Sequence, residues 1–329
     1  MAVAAPTGRE VRGAYEDVLG PLAKVAFLEG LEPPARRSAL AEAVALVTWD
    51  PWRELEEPER PLLAGVELVQ LLSAGADHLR FAELPGHLVV ASNVGAYAEP
   101  IAEHALAVAL ALAKRLPQNH ARLARGVFRA QGPSRWVQGA TVAVLGLGGI
   151  GRATARRFRA LGARVLAVNT TGRTDEPVEF CGTLADLDRV LSQADVIVVC
   201  LPLTRATRGL IGRRELALMK PDAILVNVAR GAIVDEEALF ERLRDYPEFS
   251  AGIDTWWEEP RAGAPFRTRF PFFELPNLLG SPHNSPLVPG MEVTAARRAA
   301  ENVRRFLLGQ PLRGLVRRED YEPAPGEGR

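Results

Sequence analysis

Short runs of β-branched and aliphatic residues alternate along the chain with longer stretches whose apolar positions recur at helical spacing. The runs predict strands at 24–28, 45–48, 68–72 and 88–91. A second set follows at 141–145, 164–168, 196–200, 223–227 and 250–253, with a last strand at 278–280. Runs this short and this free of polar residues, each followed by a helical stretch, read as parallel strands covered on both faces. The predicted fold class is therefore α/β, built from βαβ units. One segment interrupts the alternation. Residues 99–116 read as helical throughout, with Pro100 in the first turn and Pro117 ending the helix. The Gly- and Arg-rich stretch 122–136 is expected to be loosely ordered. A long helix between two sets of strands reads as a hinge joining two domains, as the 329-residue length suggests. A second long helix, 291–308, would carry the chain back to the first domain. The tail 323–329 is expected to be disordered.

Composition narrows the class. Lys plus Arg and Asp plus Glu are 40 each, so there is no basic excess to suggest a nucleic-acid or membrane partner. Only Lys24, Lys114 and Lys220 are lysines, an arginine bias that reads as coding rather than functional. Two cysteines, Cys181 and Cys200, cannot supply a disulfide framework or a zinc site, and no metal is expected. Cys200 ends an apolar run and reads as packing. Residues 1–10 lack the apolar core of a signal peptide. The most apolar helical run, 105–113, is cut off by Lys114 and Arg115, well short of a membrane span. A soluble cytoplasmic protein is expected.

The run 141–145 leads directly into Gly146-Leu-Gly148-Gly149-Ile150-Gly151 and then a helical stretch. This is strand, glycine turn, helix. Gly146 allows the turn, Gly148 lets backbone approach a pyrophosphate, and Gly151 lets the helix pack on the strand. The pyrophosphate would sit at the helix N-terminus, where free N–H groups favour an anion. An acid at the end of the next strand would bind the adenine ribose and repel a 2′-phosphate. Here stand Asn169, Thr170, Thr171 and, after a glycine, Arg173, which favours NADP(H). NAD(H) remains open, since Asn169 could still bind ribose with Arg173 merely solvated.

Three further segments follow strands: Val228-Ala229-Arg230-Gly231, Asp254-Thr-Trp-Trp-Glu258-Glu259-Pro260, and Ser281-Pro-His283. In an open parallel sheet ligands bind beyond the carboxyl ends of the strands. Arg230, Glu258 or Glu259, and His283 can therefore share one crevice. Reducing a carbonyl leaves charge on oxygen and requires a proton donor, which His can be near neutral pH. A carboxylate on the far ring nitrogen orients the imidazole. A fixed Arg can bind a substrate carboxylate and polarise the carbonyl.

These segments resemble the D-isomer-specific 2-hydroxyacid dehydrogenases, the family that includes glyoxylate/hydroxypyruvate reductases, phosphoglycerate dehydrogenase and formate dehydrogenase. The resemblance rests on Gly146–Gly151, Leu201-Pro-Leu-Thr204, Asn227-Val-Ala-Arg-Gly231 with Val234-Asp-Glu236, Gly252-Ile-Asp254 with Glu259-Pro260, and Ser281-Pro-His283, spread over most of residues 70–310. It implies Arg230 as the substrate-binding and polarising group, Glu259 as the partner of His283, and His283 as acid/base. It also implies Asp254 near the nicotinamide, with Pro202, Thr207, Val228 and Ala229 lining the cofactor cleft. Ser73-Ala74-Gly75 resembles the loop whose amides hold the substrate carboxylate, while His78 beside it reads as structural. His104, in an Ala-Glu-His of the hinge helix, reads as packing and helix–domain contact. Two Rossmann/flavodoxin-like, doubly wound domains are implied. Residues 1–96 and 287–329 would form the substrate domain, with the coenzyme domain 97–286 inserted. A homodimer is implied, and the apolar stretch 106–116 suits its interface.

The departures touch substrate identity. Tyr97 stands where relatives commonly carry Asn and would alter or cap the pocket. Trp256 and Trp257 could wall the site or pack. The loop 261–275 is long and aromatic, and Asn-Ser-Pro follows His283. The favoured reading is an NAD(P)-dependent reductase of glyoxylate- or hydroxypyruvate-like 2-oxo acids. Formate oxidation and a non-catalytic, dinucleotide-sensing corepressor are the alternatives. The chain ends soon after the return helix, which argues against a phosphoglycerate dehydrogenase with a C-terminal regulatory domain. With zero net charge, anionic ligands must be held by a few placed groups: Arg230, a helix N-terminus and Arg173.

Overall fold

The structure, a computed structural model of the chain, describes residues 1–129, 132–260 and 263–322. It forms two units, Met1–Tyr97 with Val288–Arg329, and Ala98–Leu287. The tail expected to be disordered lies outside the described residues, as do residues 130–131 of the Gly/Arg-rich stretch and 261–262 of the aromatic loop.

The first unit holds a five-stranded parallel sheet made of β1 (Ala2–Val3), β2 (Ala26–Phe27), β3 (Ala45–Thr48), β4 (Leu68–Leu71) and β5 (Val89–Ala91), in the order β2-β1-β3-β4-β5. Alternate strand residues serve opposite faces, as the pleat requires. Ala45, Val47 and Leu68 pack with Tyr15, Leu19, Ala299 and Val303, beneath the helices Arg9–Leu19 and Met291–Leu307. Leu46, Val69 and Leu71 pack on the other face with Leu40, Trp52 and Phe81. Asn302, buried in the return helix, donates to Gln70 Oε1 at 2.6 Å and to the Arg313 carbonyl at 2.9 Å. That satisfies polar groups the sheet would otherwise bury unpaired.

The second unit holds seven parallel strands: β6 (Thr141–Leu145), β7 (Arg164–Val168), β8 (Phe180–Gly182), β9 (Val196–Val199), β10 (Ile224–Asn227), β11 (Ser250–Ile253) and β12 (Leu278–Gly280). Their order is β12-β11-β10-β9-β6-β7-β8, so the winding reverses between β9 and β6. Loops leaving the carboxyl ends at such a reversal frame a ligand crevice. Asn227 pairs with Ile253, and Ile253 with Gly280, so β10, β11 and β12 end level with one another. The core runs from Leu145 and Val199 through Leu225 and Ile253 to Phe249 and Phe272.

Ten predicted strands are present, and five have the expected bounds. The strand expected at 24–28 shrinks to Ala26–Phe27, and two strands escaped prediction. Ala2–Val3 is only two residues long yet lies inside the first sheet, and Phe180–Gly182 is an edge strand carrying a Cys and a Gly. The hinge helix also differs from expectation. It spans Ala98–Ala113 and stops before Pro117, where Arg115 adopts a left-handed φ of 52°. Pro117 then occupies the first turn of a new helix, Leu116–Leu123, the one helical position where a missing N–H costs nothing. Burial pushes the Cys200 thiol up to about 12, which suits packing rather than reactivity.

Candidate active site

The glycine turn after β6 takes the geometry its residue types require. Gly146 has φ +96°, and a Cβ on it would lie 2.9 Å from the backbone of Cys200 and Leu201, where β9 ends. A Cβ on Gly151 would overlap the Gly146 carbonyl oxygen, so only glycine lets the helix Gly149–Ala160 start this close to the strand. Gly148 is the N-cap of that helix, no side chain caps it, and a Cβ there would meet nothing within 4 Å. Buried neighbours at Gly146 and Gly151 with open space at Gly148 are what a pyrophosphate cradle needs. Gly149 and Ile150 supply the first-turn amides. These residues fit a dinucleotide.

At the end of β7, Asn169 organises its own loop. Its Oδ1 accepts the amides of Thr171 at 2.9 Å and Gly172 at 2.7 Å, and its Nδ2 donates to the Arg173 carbonyl at 2.8 Å. The Asn169 side chain thus shapes the turn that follows β7. Thr170 and Arg173 are exposed, and no carboxylate pairs with the Arg173 guanidinium among the described residues. Arg152 and Arg156, by contrast, are paired with Asp175 and Glu176. Across the reversal of the sheet, Thr207 Oγ1 donates to the Pro202 carbonyl at 2.6 Å and accepts the Thr204 amide at 2.8 Å, which closes the loop after β9. Val228 and Ala229 are buried after β10. Asn227 accepts the Ala229 amide and donates to the Arg230 carbonyl, which fixes the turn presenting Arg230.

His283 and Glu259 come together. Nδ1 of His283 lies 2.9 and 3.0 Å from the two Glu259 carboxylate oxygens, whereas Glu258 is exposed and makes no such contact. Burial alone would raise the Glu259 pKa. The hydrogen bond and charge of His283, the Trp256 amide and the nearby Arg230 outweigh it and hold the carboxyl below its ordinary value. An ionised carboxylate can only accept, so Nδ1 carries the proton donated to Glu259 and Nε2 is the atom free to exchange one. Both side chains keep contact with water, at 36% exposure for His283 and 40% for Glu259.

His283 sits at φ +50°, a left-handed conformation that costs an L-residue roughly 1–2 kcal/mol. Asp254 holds it there. The His283 amide donates to the Asp254 carbonyl at 2.8 Å. The Asp254 carboxylate, only 2% exposed, accepts Ser281 Oγ at 2.6 Å and the amides of Asn284 and Ser285 at 3.2 and 3.3 Å. Its burial would raise the pKa, but the bonds from Ser281 and Ser285 and the proximity of His104 bring it below its ordinary value. Asp254 is therefore the anchor of the His283 loop. His104, read as packing and helix–domain contact, reaches Ser281 Oγ at 3.0 Å. Nothing in the sequence marked Ser281, 177 positions away, as its partner.

Trp256 and Trp257 are fasteners. Trp256 Nε1 donates to the Ser281 carbonyl at 2.9 Å and Trp257 Nε1 to the Val234 carbonyl at 2.6 Å, tying the loops after β10, β11 and β12 together. Their rings pack on Phe266, Phe272 and Phe273 of the aromatic loop. In the first unit, Ala74 and Gly75 follow β4, and Ser73 Oγ donates to the Gly75 carbonyl at 2.7 Å. Tyr97 braces this loop: its hydroxyl donates to the Leu72 carbonyl at 3.0 Å and its ring stacks on Trp49. His78 contacts the Trp49 carbonyl at 2.7 Å, in keeping with a structural role. No cluster of three or more metal-ligating side chains occurs among the described residues. Nor is any described helix long and apolar enough to cross a membrane.

Parallel-sheet α/β units, a glycine turn at a sheet reversal and a His–Glu pair at neighbouring strand exits define a dinucleotide-dependent class of protein. The model of the NAD-binding domain of D-isomer specific 2-hydroxyacid dehydrogenases matches residues 106–285, and the chain belongs to this family. It is 34% identical over 227 residues to a glyoxylate reductase of Thermococcus gammatolerans, covering 66% of each chain. The chain spans 43–66% of the length of the first curated relatives it matches, D-3-phosphoglycerate dehydrogenases among them. Among solved structures, a Pyrobaculum aerophilum protein provisionally described as a formate dehydrogenase is 28% identical, with TM-score 0.78 over 98% of this chain and 99% of that one. A D-isomer specific 2-hydroxyacid dehydrogenase from Xanthobacter autotrophicus Py2, in complex with NADPH, is also 28% identical, with TM-score 0.77 over 96% and 98%.

Proposed function

We propose that the chain reduces small 2-oxo acids of the glyoxylate or hydroxypyruvate kind to D-2-hydroxy acids. The observation that carries this reading is the His283–Glu259 pair at 2.9 Å, with ring Nε2 left as the proton-exchanging atom. The bound reduced nicotinamide supplies the hydride. Arg230 binds the substrate and polarises its carbonyl, drawing charge towards oxygen. His283 delivers the Nε2 proton to that oxygen, while Glu259 retains the Nδ1 proton and offsets the charge passing through the ring. In the first unit, the amides of Ala74 and Gly75 hold a carboxylate on a loop braced by Tyr97. The glyoxylate reductase of T. gammatolerans supports the substrate class.

The cofactor is NADP(H) in preference to NAD(H). Arg173 is exposed and takes no carboxylate partner among the described residues, beside the hydroxyls of Thr170 and Thr171, and no acid stands at the end of β7 to repel a 2′-phosphate. Gly146, Gly148, Gly149, Ile150 and Gly151 would hold the pyrophosphate, and Pro202, Thr207, Val228 and Ala229 would flank the rest. The protein acts as a cytoplasmic homodimer. Leu116, Leu123, Val127, Phe128 and Trp136 expose large apolar surfaces on one connected segment of the second unit, Phe128 at 95%.

A panel of 2-oxo acids with NADPH and NADH, followed at 340 nm, tests the reading. Turnover should be lost in His283→Ala while cofactor binding survives. Formate oxidation is the second reading, favoured by the P. aerophilum neighbour. Formate gives up a hydride without any oxygen gaining or losing a proton, so the His283–Glu259 pair would have no task in it. Formate with either oxidised cofactor belongs in the panel. Cofactor binding without turnover on any acid would favour a non-catalytic sensing protein. Light scattering at assay concentration tests the dimer.

A further inference from the structure

We propose that His104 is a positioning residue for His283, acting through Ser281 and Asp254. The proposal rests on the reading of His283 as the proton donor. His104 lies in the helix Ala98–Ala113, remote from His283 in sequence. It comes near because β11 has a glycine where that helix crosses it. A Cβ on Gly252 would overlap the side chain of Val108, so any larger residue would push the helix away.

The direction of the hydrogen bonds follows from their partners. Ser281 Oγ is 2.6 Å from Asp254 Oδ1, and His104 Nε2 is 3.0 Å from Ser281 Oγ and 3.7 Å from Asp254 Oδ1. An ionised carboxylate accepts only, so the serine proton points to Asp254 and the serine oxygen is left to accept. His104 must therefore present Nε2–H. The chain runs from His104 to Ser281 to Asp254, and Asp254 then holds the amides of Asn284 and Ser285 and, by its own carbonyl, that of His283. A left-handed His283 persists only where its surroundings hold it. An apolar residue at 104 would fill the same space and leave the Ser281 proton free to rotate away from Asp254. The imidazole of His283 would lose its fixed aim although no reacting atom had been touched.

The test uses His104→Leu, His104→Gln, Ser281→Ala and the His104→Leu/Ser281→Ala double variant of the full chain. His104→Leu should lower kcat about tenfold, the range one hydrogen bond can carry, with the cofactor KM unchanged. His104→Gln offers an N–H at the same reach and should recover most of the loss. Ser281→Ala should cost as much as His104→Leu, and the double variant no more than either. The chain has five histidines, so ¹⁵N-histidine spectra can be assigned by substitution. His283 should give sharp ring signals with Nδ1 protonated in the wild type and in His104→Gln, and broadened ones in His104→Leu. Equal losses in the Leu and Gln variants, additive losses in the double variant, or a Leu variant with wild-type kcat would each overturn the proposal. If the wild type reduces no 2-oxo acid, the activity reading fails by itself. The spectra then decide, and unchanged His283 signals in His104→Leu would overturn the positioning role.

Discussion

Replacing Glu259 by Gln isolates the carboxylate from the space it fills. The two oxygens lie 2.9 and 3.0 Å from Nδ1 of His283. A hydrogen bond to a charged group contributes about 1.5–3 kcal/mol in a protein. Here both partners are more than a third exposed, so screening favours the lower part of that range, about 1.5–2 kcal/mol. If that stabilisation is realised as the imidazole takes up charge, its loss lowers kcat about 10–30-fold. Steady-state reduction of glyoxylate by NADPH, followed at 340 nm and neutral pH, measures it, with cofactor KM as the control. Glu258→Gln, one residue away and out of contact, should leave kcat within twofold. The sign with pH follows from the direction of the shift. The Glu259 carboxyl is held below its ordinary value, so its contribution is complete above roughly pH 4.3, the usual Glu value, and fades as pH falls through the lowered one. Any activity limb between pH 5 and 8 must then belong to another group. Full activity in Glu259→Gln, or a larger loss in Glu258→Gln, would refute the assignment.

Gly151→Ala should cost about 1–3 kcal/mol of stability or more, seen as a lowered Tm, and should abolish cofactor binding in a fluorescence titration, because the new methyl overlaps the Gly146 carbonyl. Arg173→Ser should raise the KM for NADPH about tenfold or more and leave that for NADH nearly unchanged; an equal effect on both would exclude 2′-phosphate recognition. Tyr97→Phe removes the bond to the Leu72 carbonyl at 3.0 Å, a loss of about 0.5–1.5 kcal/mol. It should raise the KM for the 2-oxo acid several-fold without changing that for the cofactor, and a lowered kcat with unaltered KM would contradict a bracing role for Tyr97.

Much of the fold was legible because parallel strands buried on both faces are written as uninterrupted aliphatic runs. Thr141–Leu145, Val196–Val199 and Ile224–Asn227 carry that signal within a few contiguous residues. Ala2–Val3 carries none, since two residues have no period, and only its neighbours β2 and β3 make it a strand. Pro117 is ambiguous along the sequence for a related reason. A proline is compatible with the end of one helix or the first turn of the next, and the left-handed Arg115 before it decides between them.

The sequence by itself determined which residue types are available and where each leaves its strand: a glycine turn after β6, an arginine after β10, adjacent glutamates after β11, a histidine after β12. These are local facts, set by periodicity and by what glycine and proline permit. Only the tertiary structure set Glu259 against His283 with Glu258 out of contact, and made Asp254 the anchor of a strained histidine. The same packing brought His104 to Ser281 by way of Gly252. Those outcomes depend on hydrogen bonds between residues tens to hundreds of positions apart. Such bonds are directional within a few tenths of an ångström, and no pattern along one dimension encodes that precision.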